Sequence, residues 1–281
     1  MMQQRLFLLG LLLCGGCFAA DVRAETVFYA VGEQRTVTDA ELVASLSRSR
    51  VVLVGEHHTD RRHHAVQEQV IRLLHRAELP IAVGLEMFRR QSQPFLDAWT
   101  AGKIPEEEFR KIYLKNWNFD WELYRDIFVF ARDHRIPMIG LNVPPEITRQ
   151  VARQGFSSLD EDQRGELSNV TCRVDKEYME YIRRAFGAHA HGKLNFSYFC
   201  EAQLVWDSVM AVGALDYLRD NPDSTVILLA GTGHARKPGI PAQIRKRSSV
   251  PVTVILPEIS GAIDAESVGI EETDYLARTV P

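Results

Sequence analysis

The chain has 281 residues, 25% of them charged and 46% hydrophobic, with a formal net charge of −4. That composition suits one large domain with a real core and excludes an intrinsically disordered chain. The slightly acidic balance gives no electrostatic reason to expect nucleic acid as a partner.

Residues 1–24 read as a targeting leader and not as part of the fold. Arg5 precedes the apolar run "LFLLGLLLCGGC", which is short for a bilayer span, and no second run of transmembrane length follows. Two processing routes compete. "LCGGC" resembles a bacterial lipobox that would put a lipid on Cys17, although Cys14 stands where an aliphatic residue is preferred. Ordinary cleavage after Ala20 or Ala24 is the other route. Both imply export. Lipidation would make the chain an outer-membrane or periplasmic lipoprotein that reaches the membrane through its anchor. Beyond the leader only Cys172 and Cys200 remain, and an oxidising compartment would let them pair.

Past the leader, "ETVFYAVG" predicts a short strand and "TVTDAELVASLSRS" a helix, started by a Thr38/Glu41 capping box. "RVVLVGE" is an unbroken, β-branched run of the kind buried on both faces of a sheet. "HHAVQEQVIRLLHRA" carries Val66, Val70, Leu73 and Leu74 at helical spacing. "PIAVGLEM", "PMIGLN", "STVILLAG" and "VPVTVIL" predict four more strands. Helical patterns separate these runs, so residues 25–281 read as a single α/β domain. Its mainly parallel central sheet is flanked by helices. Insertions at about 91–135 and 145–220 are helical and are expected to form a helical subdomain.

Ligands of open parallel sheets bind beyond the carboxyl ends of the strands. Four of those ends deliver polar residues: Glu56-His57-His58, Glu86, Asn142 and the His234 of "AGTGHAR". Polar residues are common where strands meet turns, but two carboxylates and two histidines at matching ends point to a site. "GTGH" suits an anion held on backbone N–H groups while His234 faces the cleft. His63 and His64 open a helix and read as exposed; His189 and His191 read as solvated loop residues. Along "FCEAQLVWDSVMAVGALDYLRD", Gln203 and Asp207 fall on the apolar side of a long helix. A buried Asp207 needs a partner, either a structural arginine or a group of the cleft.

In order, "LVGEHHT", "GLEMFRRQSQPFLDAW", "LNVP", "AQLVWDSVMA" and "AGTGHAR" resemble the ChaN family of haem-binding uptake lipoproteins over about residues 48–257. That family belongs to a superfamily with the Tiki metalloproteases, TraB-type proteins and erythromycin esterases. The resemblance implies an α/β core, haem (iron) as ligand and a role in iron uptake, with tyrosine as the axial ligand. The tyrosines available are Tyr113, Tyr124, Tyr178, Tyr181 and Tyr198, and Arg89, Arg90 and Arg236 are cations for the propionates. From the hydrolytic members it carries over Glu56, His58, Glu86 and His234 as active-site residues; Thr59 stands where an Asp is frequent. Two readings follow. One is a haem-binding protein, with a homodimer left open as its assembly. The other is a hydrolase using a divalent transition metal, with His58 and His234 as ligands, or His/Glu acid–base chemistry.

Overall fold

The computed structural model describes residues 25–167, 169–186 and 195–280. The leader with Cys17, and the loop residues His189 and His191, lie outside the described residues.

The chain opens with a hairpin of β1 (Glu25–Ala30) and β2 (Arg35–Val37), followed by α1 (Asp39–Leu46), whose N-terminus carries the Thr38/Glu41 capping box. Then come β3 (Val51–Glu56), α2 (Arg61–Arg76) and β4 (Ile81–Arg89). The first insertion supplies α3 (Gln93–Thr100), α4 (Glu106–Asn116) and α5 (Trp121–Asp133) before β5 (Met138–Asn142). The second supplies α6 (Pro145–Gln154), α7 (Glu161–Glu166), α8 (Lys176–Phe186) and the long α9 (Phe196–Asp220). The chain closes with β6 (Thr225–Gly231), α10 (Thr232–Ala235), α11 (Ile240–Arg245), β7 (Val252–Pro257) and β8 (Tyr275–Val280).

All eight strands form one sheet in the order β2-β1-β8-β7-β3-β6-β4-β5. The run from β8 to β5 is parallel, and the β1–β2 hairpin closes the β8 side antiparallel. The central strands are apolar without interruption because both of their faces are covered. Val52 and Val54 face a core built with α1 to α5, whereas Val51 and Leu53 face one built with α6, α9 and α11. The two helical insertions therefore cover opposite faces of the sheet. The first packs as an aromatic cluster: Trp99 stacks on Phe109 at 4.3 Å and Trp121 on Phe128 at 5.4 Å. The Trp99 indole N–H donates to the Phe128 carbonyl at 2.9 Å, so its polar edge is satisfied inside the core.

Cys172 and Cys200 are free thiols, so the pairing anticipated from the sequence is not present. The Cys172 thiol instead donates to the Glu201 carbonyl at 3.5 Å, and burial pushes its pKa up to about 12.

The end of β4 is irregular, with a register shift against β5 between Leu85 and Arg89. Gly140 on β5 makes this irregularity fit, because a Cβ there would lie 2.5 Å from the Arg89 carbonyl oxygen. Gly140→Ala must push backbone rather than a flexible side chain. We expect it to lower stability by about 1–3 kcal/mol, read as a shift in the urea midpoint at unchanged slope.

Candidate functional site

β3 ends at Glu56, whose pairing with Gly231 sets it beside the end of β6. Glu56 is buried and shares its strand face with Val52 and Val54, so its carboxylate points toward α2 and α5. Three side chains meet it there. The Tyr124 hydroxyl donates to Oε1 at 3.1 Å, His64 Nε2 lies 3.2 Å from Oε2, and His58 Nδ1 makes a short contact with Oε1. Burial alone would raise the Glu56 pKa, but the His58 and His64 hydrogen bonds outweigh it and hold the carboxyl down to about 2. The His58 imidazole is raised: burial works against this, and the bond to Glu56 with the charge of Glu86 prevails.

His63 and His64 are buried, contrary to the exposed reading of their sequence. Asp60 caps α2 by accepting from Arg62 N, and this turns the first helical residues back toward the end of β3. His63 Nδ1 then accepts the His57 N–H at 3.0 Å and fixes the turn, while His64 reaches Glu56. No histidine spacing encodes this, because it depends on the angle at which α2 leaves the strand.

Glu86 reaches the same edge from the other sheet face. Its Oε2 accepts the Gly231 N–H at 2.6 Å, and its Oε1 lies 3.9 Å from His234 Nε2. The Gly231 N–H is thus already used, and "GTGH" does not offer it to an anion as the sequence suggested. Asn142 donates to the Glu86 carbonyl at 2.8 Å and braces the strand end. His234 is buried in α10, with Nδ1 at 2.7 Å from Asp207 Oδ1, and the Tyr178 hydroxyl donates to Asp207 Oδ2 at 2.5 Å. The partner of Asp207 is therefore the cleft histidine and a phenol, not an arginine. Burial would lower the His234 imidazole, yet Asp207, with Glu86 behind it, holds it up to about 9.

The structure thus brings together Glu56, His58, Glu86 and His234. Ligand atoms of Glu56, His58 and Glu86 lie within 4.8 Å of one another, a mixed oxygen and nitrogen set suited to a divalent transition metal. Four of the five tyrosines have occupied hydroxyls: Tyr113 on the Asp120 carbonyl, Tyr124 on Glu56, Tyr178 on Asp207 and Tyr181 on the Gly233 carbonyl. Tyr198 packs against Gly155, at the end of α6. Arg236 pairs with Glu272, and Arg90 donates to the Val209 carbonyl at 2.7 Å. Gln203 is buried with its Oε1 unpaired, and no described contact joins it to the cluster.

Beside the cluster lies a cleft of about 360 Å³, lined by Met87, Arg89, Lys115, Trp117, Asn142 and Trp206. Its two indoles connect it to the histidines. Trp117 meets His58 edge-on at 5.0 Å and Trp206 meets His234 at 5.8 Å, with Phe119 at 4.9 Å on the His58 ring. A larger hollow of about 750 Å³ on the β7 side is lined by His57, Arg61, Arg62 and His63. There Arg62 is spent on Asp60, and the aromatic walls are missing.

Residues 42–244 match the family model described as haem-binding uptake, Tiki superfamily, ChaN. The chain belongs to this family. Its fold is that of the ChaN of Campylobacter jejuni, a structure described as cofacial haem binding. That match has a TM-score of 0.71 and 20% identity and covers 91% of this chain and 97% of that one. A succinoglycan biosynthesis protein is similar at a TM-score of 0.51 and 10% identity, covering 85% and 90%. An erythromycin esterase mutant in its open conformation is similar at 0.49 and 14%, covering 90% and 83%. A comparison with curated proteins finds no match.

The raised pKa of His234 makes a pH prediction for the metal-free protein. Its folded value, about 9, exceeds the ordinary value of 6.5, so protonation favours the fold. The contribution is fully present below about pH 6.5 and disappears as pH rises through about 9. Asp207→Asn removes the charge that raises it. The wild-type melting temperature should therefore fall from pH 6.5 to 9.5, and the variant's should fall markedly less over the same range.

Proposed function

We propose that this ChaN-family protein binds haem at the carboxyl edge of the sheet, in the cleft between Trp117 and Trp206. The observation that supports this most is the cleft walled by Trp117, whose indole meets His58, in a chain of the haem-binding family. A porphyrin needs flat apolar walls, one axial ligand and cations for its propionates. Trp117, Trp206 and Met87 would be the walls, and Arg89 and Lys115, which line the same cleft, would be the cations. His58 would hold the iron in this reading, because its side chain is 31% exposed whereas four of the five tyrosines have internal hydroxyls. Glu56 on Nδ1 orients the ring as a carboxylate orients a metal-binding imidazole. Export through the leader, with Cys17 as lipid anchor, suits capture of haem outside the cytoplasm and belongs to the same proposal.

A second reading is favoured by one observation, the convergence of Glu56, His58 and Glu86. In it these three hold a divalent transition metal. The metal would supply Lewis-acid activation of water for hydrolysis. His234, held by Asp207, would be the acid–base group.

The two readings separate on binding measurements. Haemin titrated into the purified protein should give a saturable Soret band, weakened about tenfold or more by Trp117→Ala and by Trp206→Ala, each of which removes a large apolar wall. His58→Ala should abolish the low-energy charge-transfer bands of the ligated iron, and Tyr→Phe at 113, 124, 178, 181 and 198 should leave the spectrum unchanged. Loss of the spectrum in Tyr198→Phe alone refutes His58 as ligand. Should haemin fail to bind while zinc or manganese binds and is lost in Glu86→Gln, the second reading replaces the first.

A further inference from the structure

Away from the carboxyl edge, a cavity of about 640 Å³ lies between the segment before α8, the flank of α9 and the end of α11. Its charged lining is Arg173, Lys246 and Arg247 against one carboxylate, Asp175. That balance runs opposite to the net charge of the whole chain. Lys246 and Asp175 are 3.5 Å apart and both exposed, a pair that costs little to open. Arg173 makes no ion pair with any described residue. Arg247 donates to the carbonyl of Gln243 at 2.9 Å and to its Oε1 at 3.3 Å, and no carboxylate of the described residues pairs with it. Burial lowers the Arg247 pKa, as expected of a cation removed from water without a counter-charge.

The floor of the cavity carries a second, independent feature. Gln243 is only 3% exposed, and its Nε2 has no hydrogen-bond partner. The orientation of this amide is set by its neighbours. Ser208 Oγ at 3.5 Å and Arg247 Nη1 both donate to Oε1, so the oxygen must face them and the NH₂ must face away. A buried amide donor left unmade is costly, and native structures seldom leave one without a partner. The group that satisfies it has to be an acceptor, and the excess of cations lining the cavity favours one with negative charge.

We propose that this cavity is a binding site for a phosphate-type oxyanion, held by Arg247 and the Gln243 amide, with Arg173 and Lys246 at its mouth. A tetrahedral oxyanion offers several oxygens, so one can meet the Arg247 guanidinium while another accepts from the amide N–H₂, a charge-assisted pair of the kind that binds phosphate. The site does not depend on the haem reading, since none of these residues contacts Glu56, His58, Glu86 or His234. Its oxyanion can be free in solution or be the headgroup of an anionic lipid.

Inorganic phosphate titrated calorimetrically into the purified protein at low ionic strength should bind saturably. Vesicles of phosphatidylcholine with added phosphatidic acid test the headgroup as source by co-sedimentation. Gln243→Glu keeps the oxygen that Ser208 and Arg247 use but replaces the donor by a second acceptor. It should weaken whichever of the two binds by about tenfold or more, the loss of one charge-assisted hydrogen bond. Arg173→Gln with Lys246→Gln, on the exposed rim where folding is not at risk, should weaken it too and flatten its salt dependence. Binding of phosphate or of vesicles lost in both variants supports the site and names the source. Absence of both kinds of binding, or binding that the rim double variant leaves untouched, overturns it.

Discussion

An ionised carboxylate is held out of water at the end of the third strand, and the arrangement around it follows from the need to satisfy it. An unpaired buried charge costs several kcal/mol, so Glu56 is stable only while its donors are in place. Those donors come from three separate pieces of chain: the turn that bears His58, the first turn of α2 with His64, and the first turn of α5 with Tyr124. Each must dock at the right angle for the carboxylate to be met. Packing of the first insertion is therefore a condition of the chemistry at the edge, because Tyr124 lies within that aromatic core.

The sheet separates two acid–histidine units of different character. On the α2 and α5 side, Glu56 serves as a hub with a strongly depressed pKa and leaves His58 partly exposed. On the α9 side, Asp207 and Tyr178 close around a buried His234. Glu86 bridges the two units, through the Gly231 N–H and toward His234. Gly231 leaves room for this meeting, since a Cβ there would stand 3.0 Å from His58 Cε1 and press on the ring. A binding cleft and a reactive centre can share such an edge, because the indoles that wall the one rest on the imidazoles of the other.

The sequence made much of this readable for identifiable reasons. Burial on both faces leaves β3, β4, β6 and β7 as unbroken apolar runs, and the residues after such runs fall at one edge by topology. β2 and β8 escaped because they are short or mixed in polarity, with partners that no local pattern announces. Glu56, His58, Glu86 and His234 were readable as strand ends. The roles of Tyr124, His64 and Tyr178 were not, since a phenol 68 residues from its carboxylate becomes a donor only through helix docking. Asp207 stood between these cases. Helical periodicity showed that it needed a partner, and only coordinates could show that the partner was His234.

The helix α8 has a consequence for how the molecule breathes. Among the described residues its apolar contacts form one small cluster around Tyr178, Tyr181 and Ile182. Its two tyrosines are bonded to Asp207 and to the Gly233 carbonyl, deep in the site. Lifting this helix would strip a hydroxyl from a buried carboxylate and from a backbone carbonyl in one step. Its opening is thus all or none, and amide exchange along α8 should report on the integrity of the His234 unit as one cooperative event.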